Sequence, residues 1–193
     1  MRPSSTATDP RAAEVLRFWF RGAARRSEWF AKDPAFDADI RARFLPTYEA
    51  AASGAFARWR ERPGECLALV LVLDQFPRHL FRASARAYAT DAPARAAAAH
   101  AIAQGWDRAM LPVERLFLYL PFEHSEALAD QDRALALIGE LASFPETADA
   151  LRWAEKHRAV IRRFGRFPHR NEALGRTSTA EECAFLRQPG SRF

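Results

Sequence analysis

Apolar residues along this chain recur three and four positions apart, and no stretch alternates them singly with polar ones. A period near 3.6 builds helices with one buried face, whereas strands need a period of two. Helix punctuation agrees. Asp9-Pro10 places a cap and a first-turn proline before the apolar stretch from Ala12 to Phe20. Asp33-Pro34 opens a second helix, expected to reach Ser53 and stop at Gly54, with Pro46 as a candidate kink. Pro63-Gly64 opens a third, expected to end near Phe76. Its run from Cys66 to Leu73 is apolar on every side, so it is read as the central buried helix. A fourth helix starts at Asp91-Ala92-Pro93 and stops at Gly105. Pro112 opens a fifth, broken at Pro121, and Ser125 caps a sixth running to about Ser143. The seventh extends from Thr147 to Phe164 and closes at Gly165. Ser178 with Glu181 reads as a capping box for a short last helix. The connections are short, which favours antiparallel neighbours. The fold class is all-α, with stacked antiparallel helix pairs in a tetratricopeptide-like α/α superhelix, although no regular 34-residue period stands out. Residues 1–8 are read as a disordered tail and 9–193 as one helical domain.

Two segments repeat one theme. Asp74-Gln75-Phe76-Pro77-Arg78-His79 and Phe164-Gly165-Arg166-Phe167-Pro168-His169-Arg170-Asn171 each follow an apolar helical stretch, turn on a Phe-Pro pair and then present arginine and histidine. Proline cannot continue a helix and biases its predecessor away from helical geometry, so both are read as helix ends displaying cationic side chains.

Composition narrows the picture. The chain has 193 residues, about half hydrophobic, with 15 Phe and 5 Trp, enough for a real core and incompatible with a disordered chain. The net charge of +5 comes almost wholly from arginine, since Lys32 and Lys156 are the only lysines. Arginine and alanine richness reads partly as GC-rich coding, and the charge neither clusters tightly nor interleaves with stacking aromatics, so nucleic acid is a disfavoured partner. Cys66 and Cys183 are widely separated and in no metal spacing, and are read as two buried thiols in a reducing compartment. The N-terminal residues lack the apolar core of a signal peptide, and the longest apolar run is too short for a membrane. A cytoplasmic location is expected, with no membrane partner.

The candidate chemistry gathers at the two motifs. Asp74 falls in the last turn of the buried helix, where the partial negative charge of the helix end disfavours a carboxylate unless a cation answers it. Arg78, Arg166 and Arg170 are the expected partners, with Gln75 beside them. Arg163, Arg166, Arg170 and Arg176 are the densest charged region on fixed backbone, the planar fork of arginine suits carboxylate or phosphate, and Asn171 could orient a ligand. His157 lies on an apolar face and is read as a core residue. His124, at a proline-marked helix junction, is the better candidate for acid-base work, with His169 second. The histidine and cysteine spacing gives no metal signature, and no phosphate loop, dinucleotide glycine motif or nucleophile elbow occurs, so no cofactor is assigned.

The chain resembles a bacterial family catalogued as domain of unknown function family 924. The resemblance rests on Leu73-Asp74-Gln75-Phe76-Pro77-Arg78, on Leu120-Pro121-Phe122-Glu123-His124-Ser125-Glu126, and on the stretch from Arg163 to Asn171 followed by Leu174-Gly175-Arg176 and Ser178-Thr179. The opening Val15-Leu16-Arg17-Phe18-Trp19-Phe20 and closing Gln188-Pro189-Gly190-Ser191 add to it. It implies an all-α, tetratricopeptide-like fold and no established activity. His79 stands where the family often has Asn, and Ala83-Ser84 where it often has Gly-Thr. Two functions follow as expectations: an Arg/His/Asp pocket for a small anionic ligand, open to enzymatic use through His124 or His169, or a scaffold whose groove takes an acidic peptide or protein tail. Oligomeric state is not legible.

Overall fold

A computed structural model describes residues 8–21 and 27–191. The expected N-terminal tail lies, except for Thr8, outside them. Thr8 itself is tied down: its amide and hydroxyl both donate to Glu65 Oε1, at 2.7 Å each.

Among the described residues there is no strand. Helix α1 is Pro10–Trp19, with the Asp9 side chain accepting from the Arg11 amide. Helix α2 is Pro34–Ala52, capped by Asp33 and running on through Pro46. Helix α3, Pro63–Val70, passes through a wider π turn, Leu71–Gln75, into α4, Phe76–Leu80, and the three form one continuous rod. Then follow α5 (Asp91–Ala103), α6 (Pro112–Glu123), α7 (Leu128–Gly139), α8 (Ala150–Phe164) and α9 (Ala180–Leu186). All of Leu67 to Leu73 is buried, as the all-round apolar run requires. Helices α1 and α5 pack on α3, α2 packs on α4, and α7 packs between α6 and α8. Trp19, Phe18, Phe44, Phe76 and Phe117 fill the main core. Val160, Ile161 and Phe167 form a smaller one, packed by Phe164 and Phe185.

Several expected boundaries move. The Phe76-Pro77 pair does not end its helix, because the π turn shifts the hydrogen-bond register first: the Phe76 amide donates to the Leu71 carbonyl. Pro77 has no N–H for the Leu73 carbonyl four residues back, and the Thr90 hydroxyl donates to that carbonyl. Pro121 does not end α6 either, and the helix continues to Glu123. Ser125 does not cap α7: the helix begins at Leu128, and the Ser125 hydroxyl donates to Asp130 and accepts from the Ala127 amide. The capping box lies one residue later than expected, formed by Thr179 with Glu182. Cys66 is buried as expected, whereas Cys183 is exposed, on the outer face of the short α9.

Candidate functional site

The π turn carries Asp74 inward to complete burial. Its Oδ1 lies 2.8 Å from Nδ1 of His124, which sits at the C-terminal end of α6. The Gln75 amide donates to Oδ2 at 2.6 Å, and Nη1 of Arg78 lies 3.4 Å from Oδ1. Burial alone would raise the Asp74 pKa. The charge of Arg78 and the hydrogen bonds from His124 and Gln75 outweigh it and keep the carboxylate ionised. His124 is pushed below its ordinary range, first by burial and then by the Arg78 charge, against the pull of Asp74. Its Nδ1–H therefore donates to Asp74. Nε2 makes no hydrogen bond among the described residues, on a side chain that is 14 % exposed. A carboxylate that fixes the tautomer and leaves Nε2 as an acceptor is an arrangement suited to general-base work.

Two arginines stand beside this dyad. Arg78 donates through both terminal nitrogens to Asp91, at 2.9 and 3.1 Å. Arg170, from the second Phe-Pro segment, donates to the His124 carbonyl at 3.0 Å and reaches the same Asp91 at 3.5 Å. Its guanidinium lies between the rings of Tyr88, 4.6 Å away, and Phe167, 4.4 Å away. Arg170 is buried, and its Nε has no hydrogen-bond partner among the described residues. Burial and the nearby Arg78 charge pull its pKa down to about 10, so it remains protonated. Beneath lies a second acid. Glu123 is 4 % exposed and sits 3.1 Å from Nδ1 of His157, which also donates to the Trp153 carbonyl. Burial, helped by the Asp74 charge, raises Glu123 to about 8, while burial lowers His157 to about 3, so at neutral pH both are uncharged.

Of the candidates read from sequence, the structure brings together Asp74, Gln75, Arg78, His124 and Arg170. His169 lies next to this group, its ring 5.6 Å from that of Phe167. Three others it places elsewhere. Arg163 pairs with Glu181. Arg166 is held by both oxygens of Glu182 and by the Thr177 carbonyl. Asn171 bonds Ser178, Glu182 and Arg176. These contacts tie the last turn and α9 to the rest of the chain, together with Arg176 on Glu126. Sequence reading passed over Asp91, Tyr88 and Glu123. For Glu123 the signal was present, since an acid in the last turn of a buried helix is the same anomaly that singled out Asp74. Asp91 was hidden by its ordinary standing as a first-turn acid. Among the described residues no group of three or more His, Cys, Asp or Glu is arranged to hold a metal ion.

The chain that builds this cluster matches a known family. The model for bacterial proteins of unknown function, DUF924, matches residues 15–190. The chain belongs to this family. A solved structure of a protein of unknown function from Agrobacterium tumefaciens is 43 % identical, with 94 % of this chain and 99 % of that one covered and a TM-score of 0.86. No curated protein matches the chain. These matches carry the fold and no activity, and the chemistry rests on the geometry. Among the described residues no helix is long and apolar enough to cross a membrane.

Proposed function

We infer that the cluster binds a small ligand bearing a carboxylate or phosphate, with His124 placed to take a proton from it. The observation that carries this is Arg170. A buried, protonated guanidinium stacked between two rings retains a donor with no partner among the described residues, and it donates to the carbonyl of His124, whose imidazole Nδ1 is fixed by a carboxylate. An unmet buried donor costs free energy, and an anionic ligand oxygen would meet it. In a reaction, Nε2 of His124 would gain the proton, and the ionised Asp74 would stabilise the imidazolium that results. Both cysteines are free, which supports a reducing, cytoplasmic setting.

A second reading has one observation in its favour. The packing of α7 between α6 and α8 supports a tetratricopeptide-like stack, and such stacks can take an acidic peptide in a groove. A thermal-shift screen over phosphates, carboxylates and nucleotides separates the two, because a specific ligand raises the melting temperature by mass action. The best hit is then titrated by calorimetry against the wild type, His124→Asn and Arg170→Lys. Losing a charge-assisted hydrogen bond costs roughly 1.5–3 kcal/mol, so affinity should fall on the order of tenfold to a hundredfold in Arg170→Lys. A screen with no hit, or a hit whose affinity neither substitution changes, would overturn the small-ligand reading.

A further inference from the structure

His79 is held as His124 is, on a different face of the fold. Its Nδ1 lies 2.8 Å from Oδ1 of Asp37, in the first turn of α2. Its ring is fixed edge-on against Trp19 and Phe36, at 5.8 and 5.2 Å between centroids. The side chain is 5 % exposed, and its Nε2 has no hydrogen-bond partner among the described residues. That imidazole lines an open groove of about 420 Å³, with Asp37, Arg41, Phe81 and Arg82 among its walls. Two guanidinium groups there face a single carboxylate. Arg82 spends its charge on Asp37, with Nη2 2.7 Å from Oδ1. Arg41 is exposed and donates one N–H to the Leu80 carbonyl, at the end of α4, and it makes no ion pair among the described residues. The groove therefore keeps one unanswered positive charge next to a pre-oriented imidazole.

We propose that this groove is a second binding site, for a small oxyanion that carries a hydroxyl of its own, of the hydrogen-phosphate class: Arg41 donates to its charged oxygens, and Nε2 of His79, bare in the tautomer whose Nδ1–H donates to Asp37, accepts from that hydroxyl. The site is independent of the Asp74–His124 cluster. Its two anchoring elements, the first turns of α2 and the end of α4, are joined by the Asp37 bonds to His79 and Arg82, so a bound anion would bridge a junction that is already rigid.

The test is long-range proton–nitrogen NMR on protein labelled with ¹⁵N-histidine, titrated with inorganic phosphate in one arm and acetate in the other, at fixed pH and ionic strength. The His79 ring nitrogens should shift and saturate with phosphate and not with acetate, which has no hydroxyl to donate to Nε2. An acetate response as strong as the phosphate response would overturn the hydroxyl contact to His79. Arg41→Gln, which removes an exposed group without an ion-pair partner, should weaken binding at least tenfold; because it also removes the bond to the Leu80 carbonyl, binding is read well below the variant's own melting temperature, where it is folded. Shifts confined to His124, an unsaturable drift of His79, or equal binding by Arg41→Gln would each overturn the proposal. The His124 signals report on the other site separately, so failure of one reading is distinguishable from failure of the other.

Discussion

Position 83 holds an alanine on backbone that favours glycine, with φ of 58°. A side chain in the left-handed region crowds its own carbonyl, a conformation glycine adopts without that cost. The resemblance noted above has glycine as the usual residue there. Relieving that crowding is worth roughly 1–2 kcal/mol and the extra freedom glycine gives the unfolded chain takes back roughly 0.4–1 kcal/mol, so Ala83→Gly should stabilise the fold by a net of about 1 kcal/mol. For a chain of this length that is a rise of roughly 2–4 °C in melting temperature. A thermal melt checks it, and an unchanged or lowered midpoint would show that the turn after α4 relaxes around alanine. At the same scale lies the difference between Asp74 and Arg166. Both looked like site residues by composition and spacing. One is completely buried against His124 and Arg78, and the other, half-buried, is matched by the buried Glu182. Which partner each side chain meets is a fact about distant sequence.

At the scale of an element, the continuous rod from Pro63 to Leu80 depends on how its proline is accommodated. The π turn and the Thr90 hydroxyl together serve the backbone that Pro77 leaves without a donor. The two effects should be coupled. Thr90→Val removes the hydroxyl with little change of shape and should cost about 1–3 kcal/mol by leaving a buried carbonyl poorly served. In a Pro77→Ala background the restored N–H can bond the Leu73 carbonyl, and the same substitution should cost less by about 0.5 kcal/mol or more. Urea denaturation of the four proteins of this cycle measures the difference. Additive costs would mean that Thr90 acts on packing alone. The π turn also directs Asp74 and Gln75 toward His124, so its geometry and the site's are one feature.

The whole molecule should respond to pH through one buried pair. Glu123 has its pKa raised from 4.5 to about 8, so as pH rises across that span the folded state holds a proton the unfolded state has lost, and stability falls. His157 is lowered from 6.5 to about 3, so as pH falls across that span the unfolded state binds the extra proton, and stability falls in the other direction. Between 4.5 and 6.5 the two slopes oppose each other. Above 6.5 the Glu123 slope stands alone, at roughly 1.4 kcal/mol per pH unit at most. Glu123→Gln keeps the shape and removes that titration. The wild type should lose stability relative to this variant between pH 6.5 and 8, as read by urea denaturation at each pH. Parallel profiles for the two proteins would show that Glu123 is ionised in the folded state.

Local order was legible in the chain. The capping residues Asp9 and Asp33, the all-round apolar run of α3 and the terminating Gly105 and Gly165 each act within a few residues, and local hydrogen bonding and burial settle them. The all-α class followed from the same short-range rules, and they singled out Asp74, Arg78, His124 and Arg170, which the fold brings together. Only the tertiary structure decided the rest. Pro77 and Pro121 remain inside helices because packing and a π turn outweigh one lost hydrogen bond each. Asp91 and Glu123 join the cluster because helices α5, α6 and α8 bring them within hydrogen-bond or ion-pair reach of their partners, and Tyr88, just before α5, joins it by stacking on Arg170. Arg163, Arg166 and Asn171 leave it because Glu181 and Glu182, on the short α9, meet them first. A charged side chain takes the partner that the fold places nearest, and that choice is made by long-range packing, which the chain's short-range pattern does not encode.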